Sequence, residues 1–278
     1  MNETRQLFGQ PAIRLPSETI KACCTAVYQS DWTRLLLGDS FHPGGLPLTQ
    51  RLGELLELGP GRRVLDVAAG KGTSAIFLAK EFGCDVVGVE YGEALVTEAA
   101  AAAAEVGATD RVRFEQGDAE RLPFSDDSFD AILCECAFCT FPDKPTAAAE
   151  FARVLKPGGR LGLSDLTRSG PLPPELDTLL GWVACIADAQ PVAQYRAYLE
   201  DAGLIIGAIE AHDQALNDLI RQIQGRLLGA ELLVKLNKLA LPGADFGQAK
   251  QLARLAANTV RQGKLGYAVI TGTAATSM

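Results

Sequence analysis

The stretch from Val64 to Thr73 constrains the fold more than any other part of the chain. It is an apolar run, broken by Asp66, that leads into two closely spaced glycines, Gly70 and Gly72, just before a helical pattern begins. Such a run predicts a buried strand that turns directly into a helix. Glycines in that turn permit positive φ and let a ligand approach the backbone amides. The turn is therefore predicted to hold a small molecule.

Asp66 and Glu90 supply the polar groups for such a ligand. The three-glycine pattern of pyrophosphate-binding turns is incomplete, because only Gly70-x-Gly72 is present. The Asp66 carboxylate can accept hydrogen bonds from an ammonium or amide group, which a pyrophosphate does not supply. A second apolar strand, residues 85–89, leads to Glu90 about twenty residues further on, where ribose hydroxyls require an acceptor. The two acids favour a ligand with an ammonium group and a ribose.

Motifs further along the chain continue this pattern. A predicted third strand, 111–116, leads into the sequence Gly-Asp-Ala-Glu-Arg-Leu-Pro-Phe at 117–124, and segments 126–133 and 155–161 follow. Together with the first turn they resemble the motifs of class I S-adenosylmethionine-dependent methyltransferases. The resemblance implies S-adenosylmethionine as the cofactor, with Glu90 on the ribose and Asp118 and Ala119 on the adenine. The predicted cofactor site comprises Asp66, Ala68, Gly70, Gly72, Thr73, Glu90, Tyr91, Asp118, Ala119 and Glu135.

Strand and helix patterns alternate through the middle of the chain. Strands are predicted at 63–67, 85–89, 111–116, 130–135, 159–165, 204–210 and 264–272, and helices at 72–82, 93–106, 144–156 and 192–202. Alternation of this kind gives a parallel sheet with helices on both faces. The expected fold is α/β, a Rossmann-like doubly wound sheet of seven strands. The resemblance implies that the last strand runs antiparallel.

Helical segments are predicted on both sides of this core. Residues 1–59 form an N-terminal helical lid segment, with breaks at Pro11, Pro16 and the loop 39–45. The methyltransferase core covers residues 60–212. A helical insertion, interrupted at 241–243, covers residues 213–263, and residues 264–278 supply the last strand and the tail.

The charge balance excludes several classes of partner. With 26 Lys and Arg against 34 Asp and Glu, the formal net charge is -8, and no basic block could follow a phosphate backbone. No apolar run reaches the length of a membrane span, and the first residues lack the layout of a signal peptide. The sequence predicts a cytoplasmic enzyme that acts on a small-molecule or metalloid substrate, without nucleic acid or membrane partners.

The seven cysteines indicate reduced thiols rather than a disulfide scaffold, because the number is odd and no export signal is present. The candidates are Cys134, Cys136 and Cys139 after the fourth strand, Cys185 after the fifth strand, and Cys23 and Cys24 in the lid segment. Open α/β sheets bind ligands beyond the carboxyl ends of their strands, so these thiols are expected on the acceptor side of the cofactor. The alternative for each is a small buried residue, which is the expected role of Cys84.

This arrangement of cysteines resembles the arsenite methyltransferases, in which thiolates collect a trivalent arsenic atom and direct its lone pair at the methyl sulfonium. The resemblance covers residues 60–205. It implies Cys136 and Cys185 as arsenic ligands, with Cys24 or Cys23 as an N-terminal thiol. Arsenic is here a substrate and not a resident metal. Cys134 and Cys139 are additional thiols that the resemblance does not explain.

The chemistry of arsenic agrees with such a site. Arsenic(III) is soft and thiophilic, whereas carboxylates and hydroxyls are hard ligands. A nearby sulfonium would favour thiolates by lowering their pKa. A thiol reductant of the thioredoxin or glutathione type is the partner expected to reset the cysteines.

Two other functions fit the sequence. The acceptor of the methyl group could instead be a small organic molecule, such as a quinone or a secondary metabolite, in a pocket walled by Tyr28, Trp32, Phe138 and Trp182. The third hypothesis is a non-catalytic metal- or metalloid-binding protein that uses the motif Cys134-x-Cys136-x-x-Cys139. That motif supplies three ligands, and a structural zinc site usually has four.

Overall fold

A seven-stranded sheet forms the centre of the fold in the computed structural model, which describes residues 16–38, 41–178, 181–182, 184–239, 241 and 245–276. The strands are β1 (Arg63–Val67), β2 (Asp85–Glu90), β3 (Val112–Gln116), β4 (Phe129–Glu135), β5 (Leu155–Arg168), β6 (Leu204–Ala211) and β7 (Leu265–Ala274). Their order in the sheet is β3-β2-β1-β4-β5-β7-β6. β1 is adjacent to β2 and β4, so its carboxyl end lies at the middle of the ligand-binding edge.

The strand directions confirm the predicted fold class. β1 pairs with β2 and β4 in parallel, as do β2 with β3 and β4 with β5. β7 runs antiparallel to both β5 and β6. The four central strands need no polar face because helices cover the sheet, and the residues of β1 from Val64 to Val67 are all buried. The result is a Rossmann-like, doubly wound α/β sheet.

Nine helices of the described chain surround this sheet. They are α1 (Ser17–Tyr28), α2 (Asp31–Leu37), α3 (Gly45–Leu55), α4 (Thr73–Phe82), α5 (Glu93–Glu105), α6 (Lys144–Val154), α7 (Val192–Asp201), α8 (Asp213–Lys235) and α9 (Phe246–Arg261). Single 3-10 turns occur at Phe138–Thr140 and Pro174–Leu176. No described helix combines the length and the apolar character that a bilayer crossing requires.

Most predicted boundaries hold to within a few residues, and β5 is the main exception. The sequence predicts a helix to residue 156 and a strand from residue 159. In the structure α6 ends at Val154, and β5 begins at Leu155, which pairs with Phe129. The segment Lys156-Pro157-Gly158-Gly159 ends the helical pattern of the sequence. The strand nevertheless continues through it, because the pairing of β5 with β4 shifts register between Phe129 and Ala131.

The helices outside the core lie where the pattern predicts them. Pro16 directly precedes α1, and α8 and α9 pack against each other in the segment between β6 and β7. α8 also contacts α2, so the insertion and the N-terminal helices meet. The predicted break at Pro11, residues 39–40 of the first loop, and residues 242–243 of the interruption lie outside the described residues.

Candidate active site

A cleft of about 880 Å³, including its open mouth, lies at the carboxyl ends of β1, β2 and β4. The residues that line it are Lys21, Cys24, Thr25, Tyr28, Phe41, Val67, Ala68, Gly70, Val89, Glu90, Tyr91, Leu95, Gly117, Asp118, Ala119, Glu135, Cys136, Ala137, Thr140, Phe141 and Pro142. A smaller pocket continues the cleft towards the start of α4, where Asp66, Thr73 and Ser74 line it. The cleft lies where open α/β sheets bind their ligands, beyond the carboxyl ends of the strands.

The turn between β1 and α4 shapes the floor of this cleft. Gly70 lines the cleft with φ +54°, and a Cβ at this position would lie 3.4 Å from the Phe41 ring. Ala68 also has positive φ, +59°, which costs energy for a residue with a side chain. Strained backbone of this kind concentrates at ligand-binding turns.

Gly72, which the sequence places in the cofactor site, does not line either pocket. Its φ is +77°, and a Cβ there would lie 2.3 Å from the Phe114 ring and 3.1 Å from the Ala99 side chain. The residue is needed at the start of α4 because the helix packs closely on β3 and α5. Its part in the site is therefore indirect, through the position of the helix.

Glu90 fixes the turn between β1 and α4 through backbone hydrogen bonds. Its carboxylate accepts hydrogen bonds from the backbone N–H of Gly70 at 3.0 Å and of Gly92 at 3.1 Å. Burial raises the pKa of Glu90, and these backbone hydrogen bonds act in the opposite direction. The side chain thus ties the end of β2 to the turn after β1, at the place where a ribose was expected.

Asp66 and Glu135 bring two further carboxylates to the same region. Asp66 is 3% exposed, and its Oδ2 has no hydrogen-bond partner among the described residues. Burial raises the pKa of Asp66 well above its usual value, and the charges of Glu135 and Glu90 raise it further. Glu135 accepts hydrogen bonds from Ser74 at 2.6 Å and Thr49 at 3.1 Å. Three acids in one buried region suit a cationic ligand.

The opposite end of the cleft contains the predicted adenine-binding residues. Asp118, Ala119 and Tyr91 line the cleft there. Asp118 accepts hydrogen bonds from the Glu120 N–H at 3.0 Å and from the Lys21 ammonium at 2.7 Å. The Tyr91 hydroxyl donates to Glu18 at 2.8 Å. Lys21 and Glu18 both belong to α1, so the N-terminal helix covers this end.

Three thiols meet beyond the acidic region. Cys185 is buried, its thiol lies 3.4 Å from the Tyr28 hydroxyl, and it donates to the carbonyl of Cys136 at 3.2 Å. Hydrogen bonds from the thiols of Cys136 and Cys139 lower the pKa of Cys185 well below its usual value. Hydrogen bonding to Cys185 correspondingly raises the pKa of Cys136, and burial raises that of Cys139. Cys185 is therefore the member of this cluster whose pKa is lowered.

The backbone at two of these cysteines is unusual. Cys136 has φ +53° and Cys185 has φ +62°, a region that residues other than Gly, Asn and Asp rarely adopt. The Cys136 N–H donates to the Ser164 carbonyl at 2.7 Å, and the Cys139 N–H donates to the Asp165 carboxylate at 2.8 Å. Both cysteines are held in strained positions, which is a feature of functional sites.

The remaining cysteines have different surroundings. Cys24 lines the cleft, whereas Cys23 is buried and is absent from the lining, so the structure brings Cys24 to the cleft wall. Burial raises the pKa of Cys24 to about 12. Cys134 lies inside β4 and is fully buried in the core, and the same is true of Cys84 beside β2. In the described chain no three His, Cys, Asp or Glu side chains are placed to hold a metal ion.

The aromatic wall differs from the predicted one. Phe138 is fully buried and packs against Phe141, Phe151 and Tyr195, so it does not line the cleft. Trp182 packs against Ile20 and donates to the Thr140 carbonyl at 2.9 Å. The aromatic residues in the cleft wall are Tyr28, Tyr91, Phe41 and Phe141, with Tyr28 and Phe41 5.7 Å apart. The side chain of Trp32 lies outside the described atoms.

Sequence reasoning missed Lys21 and Phe41. Lys21 belongs to a set on α1, Lys21-Cys24-Thr25-Tyr28, whose spacing of three and four residues places all four on one helical face. That spacing was present in the sequence, but nothing in it indicates which surface the face covers. Phe41 follows a loop and has no periodic pattern around it.

Residues 64–159 match the methyltransferase domain family. This match covers about a third of the chain and includes the carboxyl ends of β1, β2 and β4, which shape the cleft. The matched segment is similar to a methyltransferase domain, and the whole fold is similar to that of solved methyltransferase structures. A solved structure with a similar fold is phosphoethanolamine N-methyltransferase 2 of Haemonchus contortus in complex with S-adenosyl-L-methionine. It has a TM-score of 0.77 at 17% identity and covers 92% of this chain and 60% of that one.

Three relatives illustrate the range of proteins to which the chain is similar. The chain is 34% identical to methyltransferase GfsG of Streptomyces halstedii over 60% of its length and 61% of the relative. It is 29% identical to the arsenite methyltransferase of Halobacterium salinarum over 68% and 49%, respectively. It is 37% identical to 27-O-demethylrifamycin SV methyltransferase of Amycolatopsis mediterranei over 56% and 59%. The matched part spans about half to three fifths of these relatives.

Proposed function

We propose that the protein transfers the methyl group of S-adenosylmethionine to a trivalent arsenic species held by cysteine thiolates. The observation that carries the proposal is the cluster of Cys136, Cys139 and Cys185 directly beyond the cofactor cleft. The similarity to an arsenite methyltransferase supports it. The strained backbone at both Cys136 and Cys185 is a further argument, because packing alone does not require positive φ at a cysteine.

The residues of the cleft fit the cofactor. Asp66 has an unpartnered buried oxygen, and a bound ammonium or sulfonium group would favour the charged forms of Asp66, Glu90 and Glu135. Glu90 would hold the ribose, and Asp118 and Ala119 would hold the adenine. When bound, the cofactor supplies an electrophilic methyl group. The part of the protein is to orient that group, to exclude water and to hold the acceptor in front of it.

The charges around the cleft favour a neutral acceptor over a phosphorylated one. Among the described residues that line the main cleft, Lys21 alone carries a positive charge, and it is paired with Asp118 and Glu120. A phosphorylated acceptor would need unpaired Arg or Lys side chains. Arsenous acid is uncharged at neutral pH, and soft thiolates bind its arsenic atom in preference to hard oxygen ligands.

Cys185 is the thiolate that would attack arsenic first, because its pKa is the lowered one. At Cys185 an S–As bond forms, an As–OH bond breaks, and the hydroxide takes from solvent the proton that Cys185 gave up on ionising. At each later thiol the thiol proton leaves with the hydroxyl as water. Cys136, and Cys24 or Cys139, would complete the set of sulfur ligands. Hydrogen bonds now join the thiols of Cys136 and Cys139 to that of Cys185, and no three thiols of the described residues are yet placed around one atom, so they must move apart as the acceptor enters. The filled set would leave one lone pair on arsenic for the methyl group.

A product assay with labelled cofactor tests this function. Purified protein is incubated with arsenite and a dithiol, and methylated arsenic is measured by chromatography. Cys136→Ser and Cys185→Ser are each expected to lower the rate by on the order of a hundredfold or more, because an incomplete thiolate set misplaces the acceptor. Cofactor affinity, measured by calorimetry, should stay within about twofold, since the cofactor contacts lie on other residues.

Cys84→Ser is the matched control. Cys84 is also a fully buried cysteine, but it lies beside β2 and donates to the Leu78 carbonyl. Its replacement is expected to lower thermal stability without changing the rate per folded molecule. Native arsenite methylation by Cys136→Ser would exclude the proposal.

An organic acceptor is the second candidate. Tyr28, Phe41 and Phe141 give the cleft an aromatic wall, and a relative that is 37% identical acts on a rifamycin. With such an acceptor, turnover would occur without arsenite, and Cys185→Ser would leave the rate unchanged. Screening quinones and polyketides with the same labelled cofactor separates the two candidates.

A further inference from the structure

One face of α1 reaches both ends of the cleft. Lys21, Cys24, Thr25 and Tyr28 all line it, at the spacing of successive turns of a helix. Lys21 lies at the end where Asp118 is found, and Tyr28 lies beside Cys185 at the thiol end. A movement of α1 would therefore change both ends at once.

Lys21 fixes the position of this helix. Its ammonium lies 2.7 Å from the Asp118 carboxylate and 2.5 Å from the Glu120 carboxylate, and its side chain is 11% exposed. Glu120 uses its other oxygen to accept the Asp143 N–H at 2.7 Å, just before α6. The ion pairs thus join α1 to the turn after β3 and, through Glu120, to the segment that follows Cys136 and Cys139. Screening by water is weak at this exposure, so the link is stronger than a surface pair.

Other contacts of α1 in the described chain, such as that between Tyr28 and Cys185 at 3.4 Å, bring no second cation to Asp118 or Glu120. The Tyr91–Glu18 hydrogen bond is exposed. Ile20 of α1 and Trp182, which follows β5, form a small apolar cluster with Cys24 packed against it. Without Lys21, two acceptors at the cleft edge, Asp118 and Glu120, would face each other with no cation between them.

We propose that Lys21 is a positioning residue for the methyl acceptor. It holds α1 so that Cys24 and Tyr28 stand at the thiol end while Asp118 stands at the cofactor end. The role rests on the proposed function, because the acceptor site is the thiol cluster proposed there. The residue touches neither the reacting sulfur nor the acceptor. Its loss is expected to affect acceptor binding far more than cofactor binding.

Alkylation of individual cysteines tests this role. Full-length wild type, Lys21→Met and Lys21→Arg are treated with iodoacetamide in the presence of S-adenosylhomocysteine, and each cysteine is followed by mass spectrometry. Lys21→Met is expected to raise the modification rates of Cys24 and Cys185 by about tenfold, because α1 opens locally. Lys21→Arg should stay near the wild-type rate, since a guanidinium can pair with both carboxylates. Affinity for S-adenosylhomocysteine should change less than these rates, and its change measures the effect that passes through Asp118, the shared partner of Lys21 and the predicted adenine site.

Two controls separate positioning from general unfolding. Cys84 is fully buried away from the cleft and should stay unmodified in every variant. Arg34→Met removes a partly exposed ion pair between Arg34, on the neighbouring helix α2, and Glu98, on α5. This variant should behave as wild type. Equal reactivity of Cys24 in wild type and Lys21→Met would overturn the proposal, and so would modification of Cys84 in Lys21→Met.

Turnover then separates this proposal from the proposed function. If wild type methylates arsenite, Lys21→Met should raise the KM for arsenite by about tenfold and leave the KM for the cofactor within about threefold. If wild type does not methylate arsenite while the alkylation pattern appears, the acceptor assignment fails and the positioning role stands. An increase confined to the KM for the cofactor would overturn the role of Lys21.

Discussion

Individual side chains in the cleft have distinct physical tasks. Glu90 is buried but satisfied, because two backbone N–H groups donate to it. Asp66 is buried with one oxygen unpartnered among the described residues. Glu90 therefore stabilises the cofactor turn before any ligand binds, whereas Asp66 has a binding capacity that the protein alone does not use. Both acids were predicted from the strand ends, but their difference depends on contacts that only the fold supplies.

Glu90→Ala is expected to weaken binding of the cofactor by about 1.5–3 kcal/mol, the range for a hydrogen bond to a charged group. The variant removes the predicted ribose acceptor and leaves the Gly70 and Gly92 N–H groups without their partner. Isothermal titration calorimetry with S-adenosylhomocysteine measures the change. Glu93→Ala, an exposed acid in the first turn of α5, is the control. Unchanged affinity in Glu90→Ala would mean that Glu90 does not bind the ribose.

The thiol contacts predict reversible inactivation by oxidation. Cys136 and Cys185 are joined by hydrogen bonds, and the lowered pKa of Cys185 supplies the thiolate that attacks an oxidised partner. A mild oxidant is expected to form a disulfide between the two and to abolish methyl transfer, and a dithiol should restore it. Peptide mapping identifies the bond. Activity that does not respond to the reductant would show that these cysteines serve packing only.

At the scale of elements, the sheet could be predicted because its strands are buried on both faces and read as continuous apolar runs. The strands β1, β2 and β4 are of this kind. β5 was predicted too short, because a Pro-Gly-Gly segment looks like a loop in a sequence, although here it continues a strand with a shifted register. Gly72 is a second residue whose role the sequence pattern does not reveal. Its sequence context predicts ligand binding, whereas its surroundings in the fold require close helix packing.

Gly72→Ala and Gly61→Ala form a matched pair of variants. Both glycines have φ near +80°, so each substitution costs about 1–2 kcal/mol of backbone strain. A Cβ at Gly61 meets nothing within 4 Å, whereas a Cβ at Gly72 meets Phe114 at 2.3 Å. Gly72→Ala is therefore expected to lose about 1–3 kcal/mol more, the cost of overpacking. Urea unfolding measures both, and equal losses would contradict the packing role of Gly72.

For the whole molecule, the site depends on contacts between distant parts of the chain. Lys21 and Asp118 are 97 positions apart, and Tyr28 and Cys185 are 157 positions apart. Sequence patterns specify faces and strand ends, so they predicted which strand ends line the cleft. They do not specify which helix face covers which strand end, and for this reason Lys21 and Phe41 could not be found. The same assembly brings Asp66, Glu90 and Glu135 together, and their repulsion affects the stability of the entire fold.

Asp66→Asn should reveal this repulsion in the pH dependence of stability. Burial and two neighbouring acids raise the pKa of Asp66 well above its usual value of 3.8. Between that value and the raised one, the folded chain binds more protons than the unfolded chain, so the free energy of unfolding falls as pH rises. Asparagine carries no charge and removes this loss. The variant should therefore melt about 2–4 °C higher than wild type at neutral pH without cofactor.

Binding of the cofactor should reduce this difference in melting temperature between Asp66→Asn and wild type. An ammonium group bound at Asp66 compensates the buried charge, so S-adenosylmethionine is expected to raise the melting temperature of wild type more than that of Asp66→Asn. Melting curves from about pH 5 to about pH 8, with and without cofactor, test both statements. Asp85→Asn, a change at an exposed acid on β2, should match wild type throughout. If Asp66→Asn melts below wild type at neutral pH without cofactor, Asp66 stabilises the fold and its place in the cofactor site must be reassigned.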